Sequence, residues 1–391
     1  MSNDLHMTPL PSQSTTSPIH RSLLILALAA LALYGYFGIV ARENWAGWLL
    51  MLSFISLAFA FRGYPSLKGY SYTVTIFAAA SVALYYPQYF STWNGFKLSV
   101  LIKPLIMLIM FGMGTSMSLK DFTGVIKTPK GVILGVVSHF IIMPTLGFTL
   151  AHLSGLPLEV AAGLILIGCS PNGLASNVIS YLAKANLALS VTITAISTLL
   201  APFVTPFLMK ILAGAFVEID PFKMMEEIFM MVIIPIGAGI IFNKLLHGRS
   251  QWLDKAMPLV SMFGIAFIIT IITAAGRDNL ISGALVLIPL VLIHNVFGYL
   301  LGYWSGRLFN MPERDCRTIA IEVGMQNGGL ASALANQMGK AATMGLAPAV
   351  FGPLMNVTGS ILASYWQKKP IRNADGTIVM VDEKELEEAR H

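Results

Sequence analysis

The amino-acid sequence predicts an all-α polytopic membrane protein with about 12 spans. Two observations predict this class: 55% of the 391 residues are hydrophobic and only 11% are charged, and long apolar runs recur between short polar breaks. An apolar run of about 20 residues can cross a bilayer as a helix, because a helix satisfies its own backbone groups. A membrane β-barrel would instead show short segments of alternating polarity. The predicted spans are 22–40, 45–61, 71–89, 98–117, 131–152, 159–183, 187–214, 228–246, 257–275, 280–306, 316–338 and 342–366.

The two ends of the chain differ from the rest in composition. Residues 1–21 are rich in Ser, Thr and Pro and are predicted to form a disordered cytoplasmic tail. The run 22–40 also fits a cleaved signal peptide, but no clear small-x-small site follows it, so we interpret 22–62 as an extra transmembrane hairpin. Residues 367–391 are predicted to form a cytoplasmic tail, with a turn at "NADGT" and a charged helix at "DEKELEEARH".

The basic residues fall mostly in the loops of one side, which predicts a multi-pass plasma-membrane protein with both termini cytoplasmic. They are spread over short loops and form no single patch, so the sequence indicates no nucleic-acid partner. Two cysteines, Cys169 and Cys316, are too few for a disulfide framework or a metal site. No HExxH, Walker or GxSxG motif is present, and the sequence therefore does not indicate an enzyme.

The chain contains an internal repeat. "SHFIIMPTLGF" aligns with "IHNVFGYLLGY" at an offset of 155 residues, which pairs His139 with His294. Five predicted spans separate equivalent points, and an odd number turns the second copy upside down in the membrane. The sequence therefore predicts inverted five-helix repeats at 71–214 and 228–366, an arrangement typical of secondary transporters.

Each repeat has one span that is interrupted at its centre. The interruptions read "GCSPNGLAS" in span 159–183 and "EVGMQNGGLAS" in span 316–338. Proline and glycine weaken a helix, so both segments are predicted to unwind. Unwound backbone inside a bilayer is tolerated only where protein or a wet cavity surrounds it. Two crossed broken helices therefore mark a candidate binding site, with helix N-termini for an anion and oxygen atoms for sodium.

Glu322 alone among the acidic residues lies deep in a predicted span. An ionised carboxylate at that depth costs several kcal/mol unless something pairs with it. No Lys or Arg lies at that depth in its segment, so a bound cation or a proton is its expected partner; a neutral glutamic acid hydrogen-bonded in the bundle is the alternative. His139 and His294 fit a proton relay, a metal pair or contacts to a neighbouring helix.

Four motifs carry a resemblance to a known family: "GCSPNGLASNVISYLAKANLALSVTITAISTLLAP", "IEVGMQNGGLASALA", "IMFGMGTSM" and "LIHNVFGYLLGY". Over about residues 71–366 the chain closely resembles the bile acid:sodium symporter (BASS) family and looks like a bacterial inner-membrane member. The resemblance implies a ten-helix core, with spans three, four, eight and nine as a panel domain and the rest as a core domain. Members carry organic anions inward with sodium.

The resemblance also implies three sets of site residues. The first sodium set is Ser176, Asn177, Ser190, Thr194 and Glu322. The second sodium set is His139, Glu322, Val323, Met325 and Gln326, with His139 where relatives often have a glutamine. The expected anion set is Asn172, Leu174, His294, Asn327, Met355 and Asn356; relatives differ at Asn172, Leu174 and Met355, so no particular anion carries over.

The function predicted from the sequence is sodium-coupled symport of a small or amphipathic organic anion by alternating access. Na+ is the co-transported ion, no organic cofactor is expected, and the protein is expected to be a monomer or weak homo-oligomer in the lipid bilayer. Two alternatives stay open. One is a proton-coupled carrier or effluxer of the same fold, and the other is a membrane ligand-binding sensor that does not transport.

Overall fold

The computed structural model describes residues 17–64, 67–117, 128–246, 251–372 and 378–379. Contacts within the chain divide it into two units, Met1–Ala78 and Ala79–His391. All of the residues predicted to form the binding site belong to the second unit.

In the first unit, two helices pair along small residues. Helix α1 (Pro18–Tyr34) continues as a π-helical turn over Gly35–Val40, and a 3-10 turn (Asn44–Ala46) leads into α2 (Gly47–Phe61). Ser53 Oγ in α2 donates to Ala27 O in α1 over 2.9 Å. Helix α1 begins at Pro18, inside the tail predicted as disordered. Proline suits the first turn of a helix, because the N–H group that it lacks would have no partner there. Residues 1–16 of that tail lie outside the described residues.

The second unit is a bundle of helices with two short strand pairs. The boundary between the two units falls within helix α3 (Ser71–Tyr85). The elements that follow are α4 (Gln88–Ser91), β1 (Thr92–Trp93), β2 (Phe96–Lys97), α5 (Ile102–Ser116), α6 (Pro129–Leu153), α7 (Leu158–Cys169), α8 (Ala175–Leu182), α9 (Leu187–Ala213), α10 (Pro221–Ile228), α11 (Ile234–Leu246), α12 (Gln251–Ala275), α13 (Arg277–Leu308), α14 (Glu313–Gly324), α15 (Gly328–Gln337), α16 (Leu346–Gln367), β3 (Ile371–Arg372) and β4 (Ile378–Val379). Both strand pairs are antiparallel.

Eight helices in the described ranges are long and apolar enough to cross a membrane. They confirm the prediction of an all-α polytopic membrane protein. The other four predicted spans are not among these eight helices. Span 71–89 is the shorter helix α3, span 257–275 lies within α12, and spans 159–183 and 316–338 are each divided into two helices. The eight helices are Pro18–Val40, Asn44–Phe61, Leu98–Ser116, Pro129–Leu153, Leu187–Ala213, Pro221–Leu245, Arg277–Leu308 and Leu346–Gln367.

Two boundaries differ from the prediction for local reasons. The span predicted to start at residue 228 starts at Pro221, because Asp220 Oδ1 accepts from the backbone N–H groups of Phe222 and Lys223, both over 3.1 Å. A carboxylate in this position satisfies N–H groups that a helix leaves free at its start. At the other end of the chain, β3 and β4 pair where the sequence predicted only a polar tail. The predicted turn at "NADGT" and helix at "DEKELEEARH" lie outside the described residues.

Close helix packing in the second unit depends on small residues. A Cβ atom at Gly114 in α5 would lie 2.2 Å from the carbonyl oxygen of Ile236 in α11. Small residues at such contacts let two helix backbones approach closely, which is the main source of helix association within a membrane. Helices α6, α7, α9 and α14 pack around the point where the two broken spans meet, and they position the candidate site.

Candidate functional site

Both broken spans are non-helical at the predicted segments, and the two segments cross. The backbone leaves the helix between the end of α7 and the start of α8, and again between the end of α14 and the start of α15. Asn172 and Gln326 form an antiparallel bridge at the crossing, and Asn327 N donates to Pro171 O over 2.8 Å. A Cβ atom at Gly173 would lie 2.9 Å from Gln326 O. The close approach of the two segments therefore requires glycine at position 173.

Side-chain donors satisfy the last three carbonyl groups of α14. Asn172 Nδ2 donates to Glu322 O, Gln326 Nε2 donates to Val323 O over 2.9 Å, and Asn295 Nδ2 donates to Gly324 O over 2.8 Å. A helix leaves its last carbonyl groups without intrahelical partners, and an unsatisfied buried carbonyl is costly. The amide side chains therefore make this interruption a stable feature of the fold.

Glu322 is fully buried, and two hydroxyl groups bind its carboxylate. Ser190 Oγ donates to Oε1 over 2.5 Å, and Thr194 Oγ1 donates to Oε2 over 2.8 Å. Ser190 and Thr194 are one turn apart on α9, so their side chains share a helix face. Across the described residues, no basic side chain forms an ion pair with Glu322.

The five residues of the predicted first sodium set lie together. Besides Glu322 Oε1, Ser190 Oγ has Asn177 Oδ1 at 2.9 Å and Ser180 Oγ at 3.1 Å, and Ser176 Oγ lies 3.3 Å from Thr194 Oγ1. A hydroxyl group carries only one proton, so Ser190 can donate to only one of its three neighbours. The cluster has more oxygen lone pairs than protons, which is the composition that a hard cation prefers.

Ser180 is a member of this cluster that the sequence did not predict. It is fully buried and lies four residues after Ser176 on α8, so both serines face α9. This i, i+4 spacing in the sequence is the signal that identifies it.

The predicted second set surrounds the crossing itself. Gln326 is fully buried, and its Oε1 has no hydrogen-bond partner within the described part of the chain. The ring nitrogens of His139 contact two carbonyl groups, with Nε2 2.9 Å from Ser170 O and Nδ1 3.3 Å from Glu322 O. His139 thus joins the first interruption to the second, and a ligand role for it requires one of these contacts to open.

The predicted anion set is brought together only in part. Asn172 and Asn327 meet at the crossing, where Asn327 Oδ1 accepts from Leu330 N over 3.0 Å and caps α15. Half-buried Leu174 is the residue before α8. His294 instead contacts Met143 O, 2.9 Å from its Nε2.

The remaining two members of that set lie on α16. The carbonyl oxygen of buried Met355 accepts from Tyr299 over 3.1 Å, and Asn356 Nδ2 donates to Gly352 O over 2.9 Å in its own helix. In the part of the chain that is described, no hydrogen bond joins Asn356 to the crossing. Leu174, Asn172 and Asn327 are therefore the members nearest to the two helix N-termini.

Sequence comparison identifies relatives of this chain. A sequence model of the Sodium Bile acid symporter family matches residues 103–283. The chain is 39% identical over 310 residues to the uncharacterized sodium-dependent transporter YocS of Bacillus subtilis (strain 168), covering 79% of this chain and 94% of the relative. It is 33% identical over 304 residues to the probable sodium/metabolite cotransporter BASS1, chloroplastic, of Oryza sativa subsp. japonica, covering 76% and 73%. It is 32% identical over 305 residues to the probable sodium/metabolite cotransporter BASS6, chloroplastic, of Arabidopsis thaliana, covering 75% and 73%.

The match to the bacterial relative extends over nearly the whole of that protein and over 79% of this chain. The resemblance read from the four sequence motifs is thereby confirmed. The chain belongs to the sodium bile acid symporter family.

Proposed function

We propose that this protein is a secondary active transporter that carries sodium together with a small or amphipathic organic anion across the membrane. The observation that supports it most strongly is the fully buried Glu322 carboxylate, which neutral oxygens surround and which forms no ion pair in the described residues. A carboxylate that stays ionised inside a membrane needs a positive partner. Sodium, which appears in the names of several relatives, supplies that charge.

The first sodium would be held by oxygens from three elements. Asn177 and Ser176 come from α8, Ser190 and Thr194 from α9, and Glu322 from α14. The ion would draw the start of α8 and the end of α14 onto α9, so its binding favours one arrangement of the crossing. A second sodium would use His139, Glu322, Val323, Met325 and Gln326. Gln326 Oε1 is an acceptor without a partner among the described residues, and His139 would exchange one of its two carbonyl contacts for the ion.

The anion would bind where two helix N-termini meet. Helices α8 and α15 both start at the crossing, and the free N–H groups of a helix N-terminus favour a negative charge. Asn172 and Asn327 lie at these starts and offer amide donors. Sodium and the anion would then stabilise the same conformational state, and each would raise the affinity for the other.

Transport follows if that state alternates between the two sides of the membrane. The odd number of spans predicts that the repeats 71–214 and 228–366 are inverted relative to each other. Such a pair can pack around the crossing in two related arrangements, one open to each side of the membrane. Rocking of one repeat against the other would expose the same site to each side in turn. Coupling arises because the site without sodium leaves Glu322 unpaired and binds the anion weakly.

The test is uptake into proteoliposomes after a thermal-shift screen of small and amphipathic carboxylates in sodium chloride and in potassium chloride. An anion that stabilises the protein only in sodium should enter vesicles down a sodium gradient, and Glu322→Gln should abolish that uptake. Uptake that a pH gradient drives at constant sodium would favour the proton-coupled carrier. Saturable binding without uptake or counterflow would favour the sensor.

A further inference from the structure

A cavity of about 710 Å³ lies away from the crossing, between α13, α14 and α16. Its wall is aromatic toward the helix ends, with Tyr303, Trp304, Tyr365 and Trp366, and apolar further in, with side chains such as Leu300 and Ile361. None of these side chains belongs to the sets assigned to sodium or to the transported anion. The proposed transport of sodium and an anion therefore leaves this cavity unassigned.

Two cationic side chains, Arg317 and Lys369, line the outer end of this cavity together with the carboxylate of Glu313. Arg317 is 2% exposed, and its Nε donates to Glu313 Oε1 over 2.9 Å. Arg307 lies outside the lining, and its Nη1 is 3.5 Å from Glu313 Oε2. Lys369 Nζ lies 4.4 Å from the centre of the Tyr365 ring, and no acidic side chain of the described residues pairs with it. The local charge is positive, so the complementary occupant carries a negative group.

The depth of the cavity indicates that this occupant also has an apolar chain. Along α16 the lining extends from Thr358 to Trp366, a rise of about 12 Å at about 1.5 Å per residue. The charged groups lie where α13 and α16 end and α14 begins. In a membrane protein such helix ends lie at the level of the lipid headgroups, and the helix interiors lie at the level of the acyl chains. A small soluble anion would use the outer end alone.

We propose that this cavity binds an anionic phospholipid of the surrounding bilayer. The phosphate lies at the outer end, at Lys369, and one acyl chain lies along Leu300 and Ile361. The aromatic rings between them occupy the interfacial level that Trp and Tyr favour in membrane proteins. By the predicted orientation this is the cytoplasmic leaflet, whose anionic lipids attract basic groups.

The inner end of the same cavity touches the network that holds the second interruption. Tyr299 and Thr358 line it, and Thr358 Oγ1 donates to Asn295 Oδ1 over 2.5 Å. Asn295 in turn donates to Gly324 O, the last carbonyl of α14. A bound acyl chain packs against these side chains and stabilises the interrupted span, so the lipid should raise the thermal stability of the whole protein.

The experiment uses the full chain, delipidated in a mild detergent and titrated with phosphatidylglycerol or phosphatidylcholine. Native mass spectrometry counts retained lipids and thermal unfolding measures stability. We expect one phosphatidylglycerol to be retained and to raise the melting temperature, while phosphatidylcholine has little effect. Lys369→Gln should need about fivefold more phosphatidylglycerol, since one basic group near a bilayer contributes about that factor. Lys368→Gln, an exposed neighbour outside the cavity lining, is the matched control and should behave as the native chain.

Four outcomes would overturn the proposal. Equal effects of the two lipids would remove the headgroup preference, and equal effects of the two lysine variants would remove the assigned contact. A full effect of inorganic phosphate alone would assign the cavity to a soluble anion. A protein dimer that forms without lipid and is lost in Lys369→Gln would assign this face to a second copy of the chain.

Discussion

Ser190 donates a 2.5 Å hydrogen bond to the carboxylate of Glu322, although 132 residues separate the two in the chain. One turn further along α9, Thr194 binds the second carboxylate oxygen over 2.8 Å. The two hydroxyl groups fix the orientation of the carboxylate, and their own oxygens remain available as acceptors. Chain segments that are distant in sequence therefore form one oxygen cluster at the crossing of the broken helices.

Ser190→Ala should weaken sodium binding. The substitution removes one oxygen of the first set and a hydrogen bond to a charged group, which contributes about 1.5 kcal/mol and corresponds to about tenfold in apparent affinity. The apparent sodium affinity is measured from the melting temperature at increasing sodium chloride, with potassium chloride keeping the ionic strength constant. Ser197→Ala is the control, because Ser197 is equally buried on α9 and donates only to Thr194 O, over 3.0 Å. Equal changes in the two variants would contradict the assignment of Ser190.

Asn295→Leu should lower the stability of the protein by about 1 kcal/mol or more, because Gly324 O loses its donor while it stays buried. Asn279→Leu on the same helix is the control: Asn279 is exposed, and when it is removed water can replace it as donor to Ala342 O. Thermal unfolding of both variants in one detergent makes the comparison. A melting temperature for Asn295→Leu that equals that of the control would refute the role of the amide.

Gly173→Ala should disrupt the crossing and reduce sodium-specific stabilisation, since the new Cβ atom would lie 2.9 Å from Gln326 O. Gly352→Ala is the matched control, because there a Cβ atom would meet only the Ile269 Cδ1 atom at 3.8 Å. Both glycines are buried. The sodium titration described for Ser190 distinguishes the variants, and native sodium affinity in Gly173→Ala would mean that the two segments can separate without effect on the site.

His139→Gln should fold and bind sodium more tightly than the native chain. A glutamine can donate to Ser170 O as the imidazole can, and it adds an amide oxygen, which is a better sodium ligand than a ring nitrogen. His139→Leu removes the contacts to Ser170 O and Glu322 O and should be less stable than the native chain and than His139→Gln. If His139→Gln binds sodium no better than His139→Leu, the second sodium set does not include position 139.

The sequence identified polar residues that are unusual deep in a membrane span. It identified fewer of the residues that form hydrogen bonds to the site. Glu322 was identifiable because a carboxylate inside an apolar span is rare, and Ser190 with Thr194 because their spacing places them on one helix face. Asn295 was missed as the donor to Gly324 O, because a polar residue in a long helix gives no sign of which distant carbonyl it meets. Ser180 had a readable spacing, but serines in membrane helices often bond only to their own turn.

Some element boundaries were also predicted from the sequence, and others were missed. The two interruptions were predicted from Pro171 and the glycines, which act locally on the backbone. The start at Pro221 was missed because "DPFKMMEE" is too polar for an apolar run, although Asp220 and Pro221 are a helix-start signal. The strands β3 and β4 were missed because each has only two residues, too few for an alternating pattern to be recognised. Local chemistry and the internal repeat were therefore readable, whereas most individual hydrogen-bond partners across the fold were not.

The central claim is that Glu322 is a sodium ligand, and the most direct measurement is the melting temperature of purified protein in sodium chloride and in potassium chloride of equal concentration. A ligand that binds only the folded protein raises that temperature. The native chain is predicted to unfold at a higher temperature in sodium, and Glu322→Gln at the same temperature in both salts. A Glu322→Gln variant that keeps the whole sodium-specific increase, or a native chain that shows none, would contradict the account.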